Sequence, residues 1–294
     1  MLTSVLIFTL SFPTNAIKAH FSDYTRIQST PKLIALWQNG APGSESRKDE
    51  PETQPHAWSI GNIYNPSITI YEPEGGNKTG TAIVIAPGGG HRELVVGEEG
   101  TKPAQMLAKA GITGIVLRYR LFREEKSGLT FEKDNRADVE RAIRLVRSMS
   151  QQLGIKRVGM IGFSAGGETL SLATFSGGVG SSDAKDPVDR LNSRPDFSAW
   201  IYPGPLGIPT NMNPDELPSK LPPGFLLVAQ DDGASKVCLD IAMKYRSSKS
   251  PYELHVLSGG GHGFNMGDRS GLQAVKTWFE RFTAWLSDQG FLKP

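Results

Sequence analysis

Cysteine is nearly absent from this chain of 294 residues, in which Cys238 is the single example. One cysteine excludes a disulfide bond within the chain and any zinc site built from cysteine ligands. Cys238 falls in a segment with helical spacing, where a free cysteine usually behaves as a small apolar side chain. We therefore expect it to pack in the core.

The chain also lacks a large excess of charge of either sign. The sequence has 32 Lys and Arg residues against 30 Asp and Glu residues, which leaves a net charge of +2. A chain without a strong field does not indicate binding to nucleic acid or to an anionic membrane surface. The histidines show no spacing typical of a metal site. We predict neither a metal nor a cofactor, and the oligomeric state stays open.

Long hydrophobic runs are missing, and no segment predicts a membrane helix. Residues 1–16 form a short apolar run in which Thr14 and Ala16 occupy small-residue cleavage positions. This pattern predicts a secretory signal peptide over residues 1–19 and a secreted or periplasmic protein. Because no positive charge precedes the run, a mis-assigned start or a docked N-terminal segment stays open. Asn77 begins a glycosylation sequon, Asn-Lys-Thr.

The sequence does contain a series of short runs rich in Ile, Val and Leu. They cover residues 67–71, 81–86, 114–119, 157–161, 199–202, 225–229 and 253–257. Such runs are typical of strands buried on both faces of a parallel sheet. Segments with helical spacing lie between or after them, at residues 100–110, 134–152, 234–248 and 272–286. The alternation predicts an α/β fold in which helices connect parallel strands.

Residues 20–294 show no convincing internal boundary and predict a single domain. A proline-rich segment at residues 203–223 is interpreted as an insertion or lid, because strands of the same type continue after it. In the helix predicted at residues 134–152, charged residues including Arg141 fall away from the apolar face. We interpret these charges as a solvated surface.

A strand followed by a glycine-rich turn and a helix surrounds Ser164. The turn reads Gly162-Phe163-Ser164-Ala165-Gly166, and the helix begins near Ala165. In a nucleophile elbow the serine lies at the tip of such a turn, and small neighbours let the strand and the helix approach closely. A glycine-rich turn can also contain a serine by chance, so the pattern alone leaves both interpretations open.

Two later strand ends offer partners for this serine, whose hydroxyl alone is a poor nucleophile. The run 225–229 is followed by Asp231 and Asp232, and the next run is followed by Gly259-Gly260-Gly261-His262. The order Ser, Asp, His is the one expected for α/β-hydrolases, with each residue after a separate strand. The order predicts Ser164 as nucleophile, His262 as base and one of the two aspartates as the group that orients it.

A glycine-rich segment, Pro87-Gly88-Gly89-Gly90-His91, follows the run 81–86. It occupies the place of an oxyanion loop, and we expect the N–H groups of Gly89, Gly90 and Ala165 to bind the negative oxygen of a tetrahedral intermediate. The segment could also be a plain loop or a phosphate cradle. The sequence has no Gly-Lys-Ser/Thr motif and no G-x-G-x-x-G opening a helix, so nucleotide binding is disfavoured. We interpret His91 as a pocket residue.

Together these motifs resemble the α/β-hydrolase superfamily, and in particular the acetylxylan-esterase-like carbohydrate esterases, also called the xylanase-related esterase group. The matching residues lie between positions 33 and 289 and are Leu36-Trp37-Gln38-Asn39-Gly40-Ala41-Pro42-Gly43, Ala86-Pro87-Gly88-Gly89-Gly90, Glu99-Gly100, Leu117-Arg118-Tyr119-Arg120, Asp138 with Arg141-Ala142-Ile143, Gly162 to Gly167, Arg194-Pro195-Asp196-Phe197, Tyr202-Pro203, Asp231-Asp232 and Gly260 to Phe264. The resemblance implies a mostly parallel central sheet flanked by helices on both faces. It also implies a serine esterase that removes acyl groups from a carbohydrate such as xylan, with Asp232 in the triad and Asp231 in reserve.

The chain departs from the family pattern at a few positions. His91 stands where an aromatic residue commonly follows the three glycines, and Glu168 stands where a histidine is frequent. Residues 233–237 lack the usual apolar pattern. We interpret Glu168, like His91, as a possible pocket residue, and the substrate preference stays open. A serine peptidase, a lipase or general carboxylesterase, and a noncatalytic relative of the fold are the alternatives.

Overall fold

The computed structural model describes residues 32–73, 78–209 and 220–293. The predicted signal peptide, the sequon at Asn77 and residues 210–219 of the predicted insertion lie outside the described residues. Residues 32–294 belong to one unit by their internal contacts. The domain boundary at residue 20 stays a prediction.

The described strands form an eight-stranded sheet and a separate two-stranded sheet. The strands are β1 (Leu33–Ala35), β2 (Thr53–His56), β3 (Ser59–Gly61), β4 (Ser67–Tyr71), β5 (Thr81–Ala86), β6 (Thr113–Arg118), β7 (Arg157–Phe163), β8 (Ser198–Ile201), β9 (Gly224–Ala229) and β10 (Tyr252–Leu257). The large sheet has the order β1-β4-β6-β5-β7-β8-β9-β10, and β2 pairs with β3. Strands β5 to β10 run parallel, whereas β4 is antiparallel to β6 and β1 is antiparallel to β4.

The central strands are apolar because both of their faces are covered. Every residue of β5, β8 and β9 is buried. A strand that is buried on both faces loses the alternation of apolar and polar residues that a half-exposed strand shows. The edge strand β10 keeps exposed positions, as expected where only one neighbour covers it.

Helices flank this sheet and connect its parallel strands. They are α1 (Lys102–Lys109), α2 (Arg136–Ser148), α3 (Ser150–Leu153), α4 (Ala165–Ser176), α5 (Ala234–Ser247), α6 (Gln273–Lys276) and α7 (Trp278–Asp288). Residues 165–175 of α4 are all buried, which fits a helix whose residues, apart from Glu168, are apolar or small around its whole circumference. Among the described residues, no helix combines the length and the apolar character needed to cross a membrane.

The predictions of burial were right for one side chain, Cys238, and wrong for another, Arg141. Cys238 in α5 is fully buried, as predicted, and burial raises the pKa of its thiol. The prediction that Arg141 belongs to a solvated surface is wrong, because its side chain is buried. Its guanidinium donates to the carbonyl of Leu36 and forms ion pairs with Asp186 and Asp189. Those partners are distant in sequence, so helical spacing alone could not reveal them.

Candidate active site

Ser164 lies in a strained turn between β7 and α4. Its φ of 50° and ψ of −117° are unusual for a residue other than glycine. The turn is possible because the residues two positions before and two positions after Ser164 are glycines. A Cβ on Gly166 would lie 1.9 Å from the carbonyl oxygen of Ala86, and a Cβ on Gly162 would lie 2.3 Å from that of Gly166. The sharp turn holds the Ser164 side chain at the carboxyl end of the sheet.

Three side chains at this end of the sheet form a continuous chain of contacts. Ser164 Oγ lies 2.8 Å from His262 Nε2, and His262 Nδ1 lies 2.8 Å from Asp232 Oδ2. Asp232 is buried, whereas the His262 side chain is 49% exposed. This geometry would let the imidazole accept the serine proton while the carboxylate holds the ring in one tautomer.

The two aspartates after β9 have different partners. Asp232 contacts His262 and also accepts a hydrogen bond of 2.9 Å from the N–H of Ala234 at the start of α5. Asp231 instead accepts hydrogen bonds from the N–H groups of Gly261 and Gly260, and the first of these lowers its pKa. Of the two carboxylates, Asp232 therefore contacts the imidazole, and Asp231 holds the backbone of the loop that carries it.

The oxyanion loop, defined here as residues 87–91, follows β5 and lies beside Ser164. Gly89 has a φ of 123° and Gly90 a φ of 65°, and glycine reaches such values without steric cost. Within the described part of the chain, no hydrogen bond engages the N–H of either glycine. Ala165 opens α4, where the first N–H groups have no acceptor inside the helix. The three predicted donors are thus available at one edge of the sheet.

His91 and Glu168 are brought together, but not in an open pocket. Both side chains are buried, and His91 Nε2 lies 2.8 Å from Glu168 Oε2. The His91 ring packs among Tyr119, Phe122 and Phe131, and burial lowers its pKa. The expectation that these two side chains line a pocket is therefore not met in this structure. The two departures from the family pattern thus form a single buried contact between the last residue of the oxyanion loop and α4.

Three further residues connect the loops around Ser164, and no sequence motif predicted a role for any of them. Glu99 accepts hydrogen bonds from the N–H of Gly88 at 2.7 Å and from the hydroxyl of Tyr202 at 2.9 Å. The amide of Asn265, with its nitrogen turned toward Glu99, donates to the same carboxylate. Glu99-Gly100 and Tyr202-Pro203 did figure in the family resemblance, which was the available signal.

A polar cavity of about 200 Å³ adjoins His262. Its lining comes from Glu98 and from the loop of residues 260–270, which contributes His262, Asn265, Asp268 and Arg269. Across the described ranges there is no cluster of three or more His, Cys, Asp or Glu side chains that could hold a metal ion. The arrangement is suited to nucleophilic chemistry at Ser164.

Comparison with known proteins finds similarity to ester hydrolases. No family model matches the chain. It is 27% identical over 253 residues to an acetylxylan esterase of Xylanibacter ruminicola, a match that covers 76% of this chain and 47% of that protein. The chain thus spans about half the length of this curated relative.

Solved structures extend the likeness over most of the fold. An acetyl ester-xyloside bifunctional hydrolase from Caldicellulosiruptor lactoaceticus superposes with a TM-score of 0.71 and 28% identity, over 89% of this chain and 97% of that one. A propionate-bound thermophilic esterase from Thermogutta terrifontis gives a TM-score of 0.65 at 19% identity, over 90% and 96% of the two chains. These findings confirm the fold and the resemblance that the motifs predicted. The chain therefore has the α/β-hydrolase fold and is similar to acetylxylan esterases.

Proposed function

We propose that this protein is a serine esterase that hydrolyses acyl esters of a carbohydrate, with acetylated xylan as the leading substrate. The observation that carries the proposal is the pair of 2.8 Å contacts linking Ser164 to His262 and His262 to Asp232. The acetyl and xylan parts rest on the names of the two similar proteins described above, an acetylxylan esterase at 27% identity and an acetyl ester-xyloside bifunctional hydrolase at 28% identity.

The mechanism follows from the positions of these groups. Ser164 Oγ attacks the ester carbonyl while His262 takes its proton, and Asp232 stabilises the resulting imidazolium. The N–H groups of Gly89, Gly90 and Ala165 bind the oxyanion. His262 then passes the proton to the departing sugar hydroxyl, which leaves an acyl group on Ser164. A water molecule, deprotonated by His262, attacks this acyl-enzyme and releases the carboxylic acid.

A serine-directed fluorophosphonate tests the reaction class. The wild-type protein is expected to be labelled, and Ser164→Ala is expected to lose all labelling because the reactive oxygen is gone. An unlabelled wild-type protein would favour a noncatalytic relative of the fold. A Ser164→Ala variant labelled like the wild type would exclude Ser164 as the nucleophile and overturn the proposed mechanism.

A second assay tests the substrate. Acetate release from acetylated xylan is compared with hydrolysis of a long-chain ester and of a peptide, at equal concentrations of titrated enzyme. We expect the highest kcat/KM on acetylated xylan. A preference for the long-chain ester would indicate a lipase or general carboxylesterase, and a preference for the peptide would indicate a peptidase.

We also propose that the protein is exported, on the basis of the apolar run in residues 1–16 and the small residues that follow it. Mass spectrometry of the protein recovered from its producing cells is expected to find a new N-terminus near residue 20. A full-length cytoplasmic product would contradict export and leave the esterase proposal untouched.

A further inference from the structure

Glu99 is a buried carboxylate that lies directly behind the oxyanion loop. Its exposed fraction is 4%, and burial raises its pKa. Removing a carboxylate from water is costly unless other groups satisfy it. No Lys or Arg side chain of the described residues forms an ion pair with it. Hydrogen-bond donors therefore contribute to its stabilisation, together with the nearby imidazole of His262.

Those donors come from three separate segments around the site. Gly88 of the oxyanion loop donates its N–H to Oε2 at 2.7 Å. Tyr202, which follows β8, donates its hydroxyl to Oε1 at 2.9 Å. Asn265, three residues beyond His262, donates its side-chain nitrogen to Oε1 at 2.9 Å. One carboxylate thus joins the loop with the oxyanion donors to the loop with the base.

The contacts leave little freedom for these loops to shift. A Cβ on Gly88 would lie 2.6 Å from Glu99 Oε2, so the backbone of the loop rests directly on the carboxylate. The Tyr202 hydroxyl also accepts the N–H of Asn265 at 3.1 Å, and the Tyr202 ring packs on the His262 ring at 5.1 Å. Tyr202 and Asn265 both have positive φ values, which such contacts help to maintain.

We propose that Glu99 is a positioning residue that fixes the oxyanion loop relative to the loop of His262. It does not touch the substrate; it acts through Gly88 on the adjoining N–H groups of Gly89 and Gly90. This inference rests on the proposed function, because the oxyanion donors matter only if an ester is hydrolysed. Glu99→Gln tests it, since an amide replaces one accepting oxygen with a donor while keeping the size of the side chain.

The first measurement separates transition-state stabilisation from substrate binding. In Glu99→Gln we expect kcat on an aryl acetate to fall by about 10-fold to 100-fold, with KM changed by less than about threefold, because the donors move relative to the developing oxyanion. The affinity for an aryl boronic acid, whose tetrahedral adduct carries an anionic charge, should weaken by a similar factor.

Glu124→Gln is the matched control. The Glu124 carboxylate also accepts a backbone N–H, that of Asn62, at 2.8 Å, but it contacts none of the residues assigned to the reaction. Its kcat should stay within about twofold of the wild type. Rates are expressed per fluorophosphonate-titrated site, so that a loss of folded protein does not count as a loss of kcat. Equal kcat in Glu99→Gln and Glu124→Gln, or a lowered kcat with unchanged boronic acid affinity, would overturn the proposal.

Two further measurements test the role of Glu99 if the Glu99→Gln variant does not fold or if the wild-type protein is inactive. If Glu99→Gln fails to fold, Tyr202→Phe removes one donor while keeping the ring, and an unchanged kcat in that variant would overturn the proposal.

If the wild-type protein neither reacts with fluorophosphonate nor hydrolyses esters, the proposed function fails. Hydrogen–deuterium exchange over residues 87–95 then decides the role of Glu99. Faster exchange in Glu99→Gln than in Glu124→Gln supports the positioning role, and equal exchange excludes it.

Discussion

Two neighbouring aspartates hold the histidine loop in different ways. Their asparagine variants should therefore lower kcat by different amounts. Asp232→Asn is expected to lower kcat by about 10³-fold to 10⁴-fold, because an asparagine favours the wrong imidazole tautomer. Asp231→Asn should cost about 10-fold or less in kcat, since the Asp231 carboxylate accepts hydrogen bonds from the N–H groups of Gly260 and Gly261 rather than from the imidazole. Initial rates on an aryl acetate, normalised to titrated sites, measure both. The reverse order would make Asp231 the triad member.

We expect His91 to make the stability of the folded state depend on pH. Burial lowers its folded pKa below the ordinary value of 6.5, so below pH 6.5 the unfolded chain binds a proton that folded His91 does not. The stability that neutral His91 contributes is thus complete above pH 6.5 and is lost as the pH falls toward the folded pKa. Urea unfolding at pH 7.5 and pH 5.5 should show a larger loss of stability for the wild type than for His91→Gln. Equal losses would show that His91 does not titrate in this way.

At the level of secondary-structure elements, the contact between β5 and α4 depends on the absence of a side chain at Gly166. The added carbon of Gly166→Ala would meet backbone oxygens of Ala86 and Pro87, which cannot move without shifting the strand. We expect a loss of about 3 kcal/mol or more in the free energy of unfolding, together with lost activity. Gly271→Ala is the control, because its added carbon would meet no atom within 4 Å. Denaturant unfolding compares the two, and similar stabilities would contradict the close contact inferred for the elbow.

The buried strands were the elements best predicted from sequence. The runs at 67–71 and 81–86 coincide with β4 and β5, and the other five runs overlap β6 to β10 with shifts of one or two residues. Such strands are continuous apolar segments, so composition alone marks them. Strands β1, β2 and β3 were missed. They have only three or four residues each, and β2 is exposed along its whole length and contains Pro55, so no apolar pattern marks them.

The site was predicted where each residue follows a strand, and was incomplete where contacts join distant loops. Ser164, Asp232 and His262 could be named because parallel strands end at the same edge of a sheet. Glu99 could not, since its partners lie 11 and 103 residues away in the sequence. The pairing of His91 with Glu168, 77 residues apart, was hidden for the same reason.

On the scale of the whole molecule, the carboxyl ends and the amino ends of the parallel strands contribute in different ways. Ser164, Asp232 and His262 follow the carboxyl ends of strands. At the amino ends of β5 and β7, Thr81 and Arg157 hydrogen-bond to the carbonyl of Phe291. The Phe291 ring packs on Phe197 with a centroid distance of 4.5 Å. This end of the sheet therefore contributes to stability and is separate from the chemistry.

Phe291→Ala tests that separation. The variant should lose about 1–3 kcal/mol in its free energy of unfolding, because the ring is partly buried in an aromatic cluster. Its kcat at 25 °C should stay within about twofold of the wild type when rates are normalised to titrated sites. A large fall in kcat without a loss of stability would show that the two ends are coupled.

The buried thiol of Cys238 makes this protein convenient for site-specific attachment. The chain has one cysteine, it is fully buried, and its raised pKa keeps it in the unreactive thiol form. A cysteine introduced at Val179, which is 83% exposed, would be the single accessible thiol. A fluorophore, spin label or solid support could then be attached by maleimide chemistry at a chosen point, without first removing a native residue.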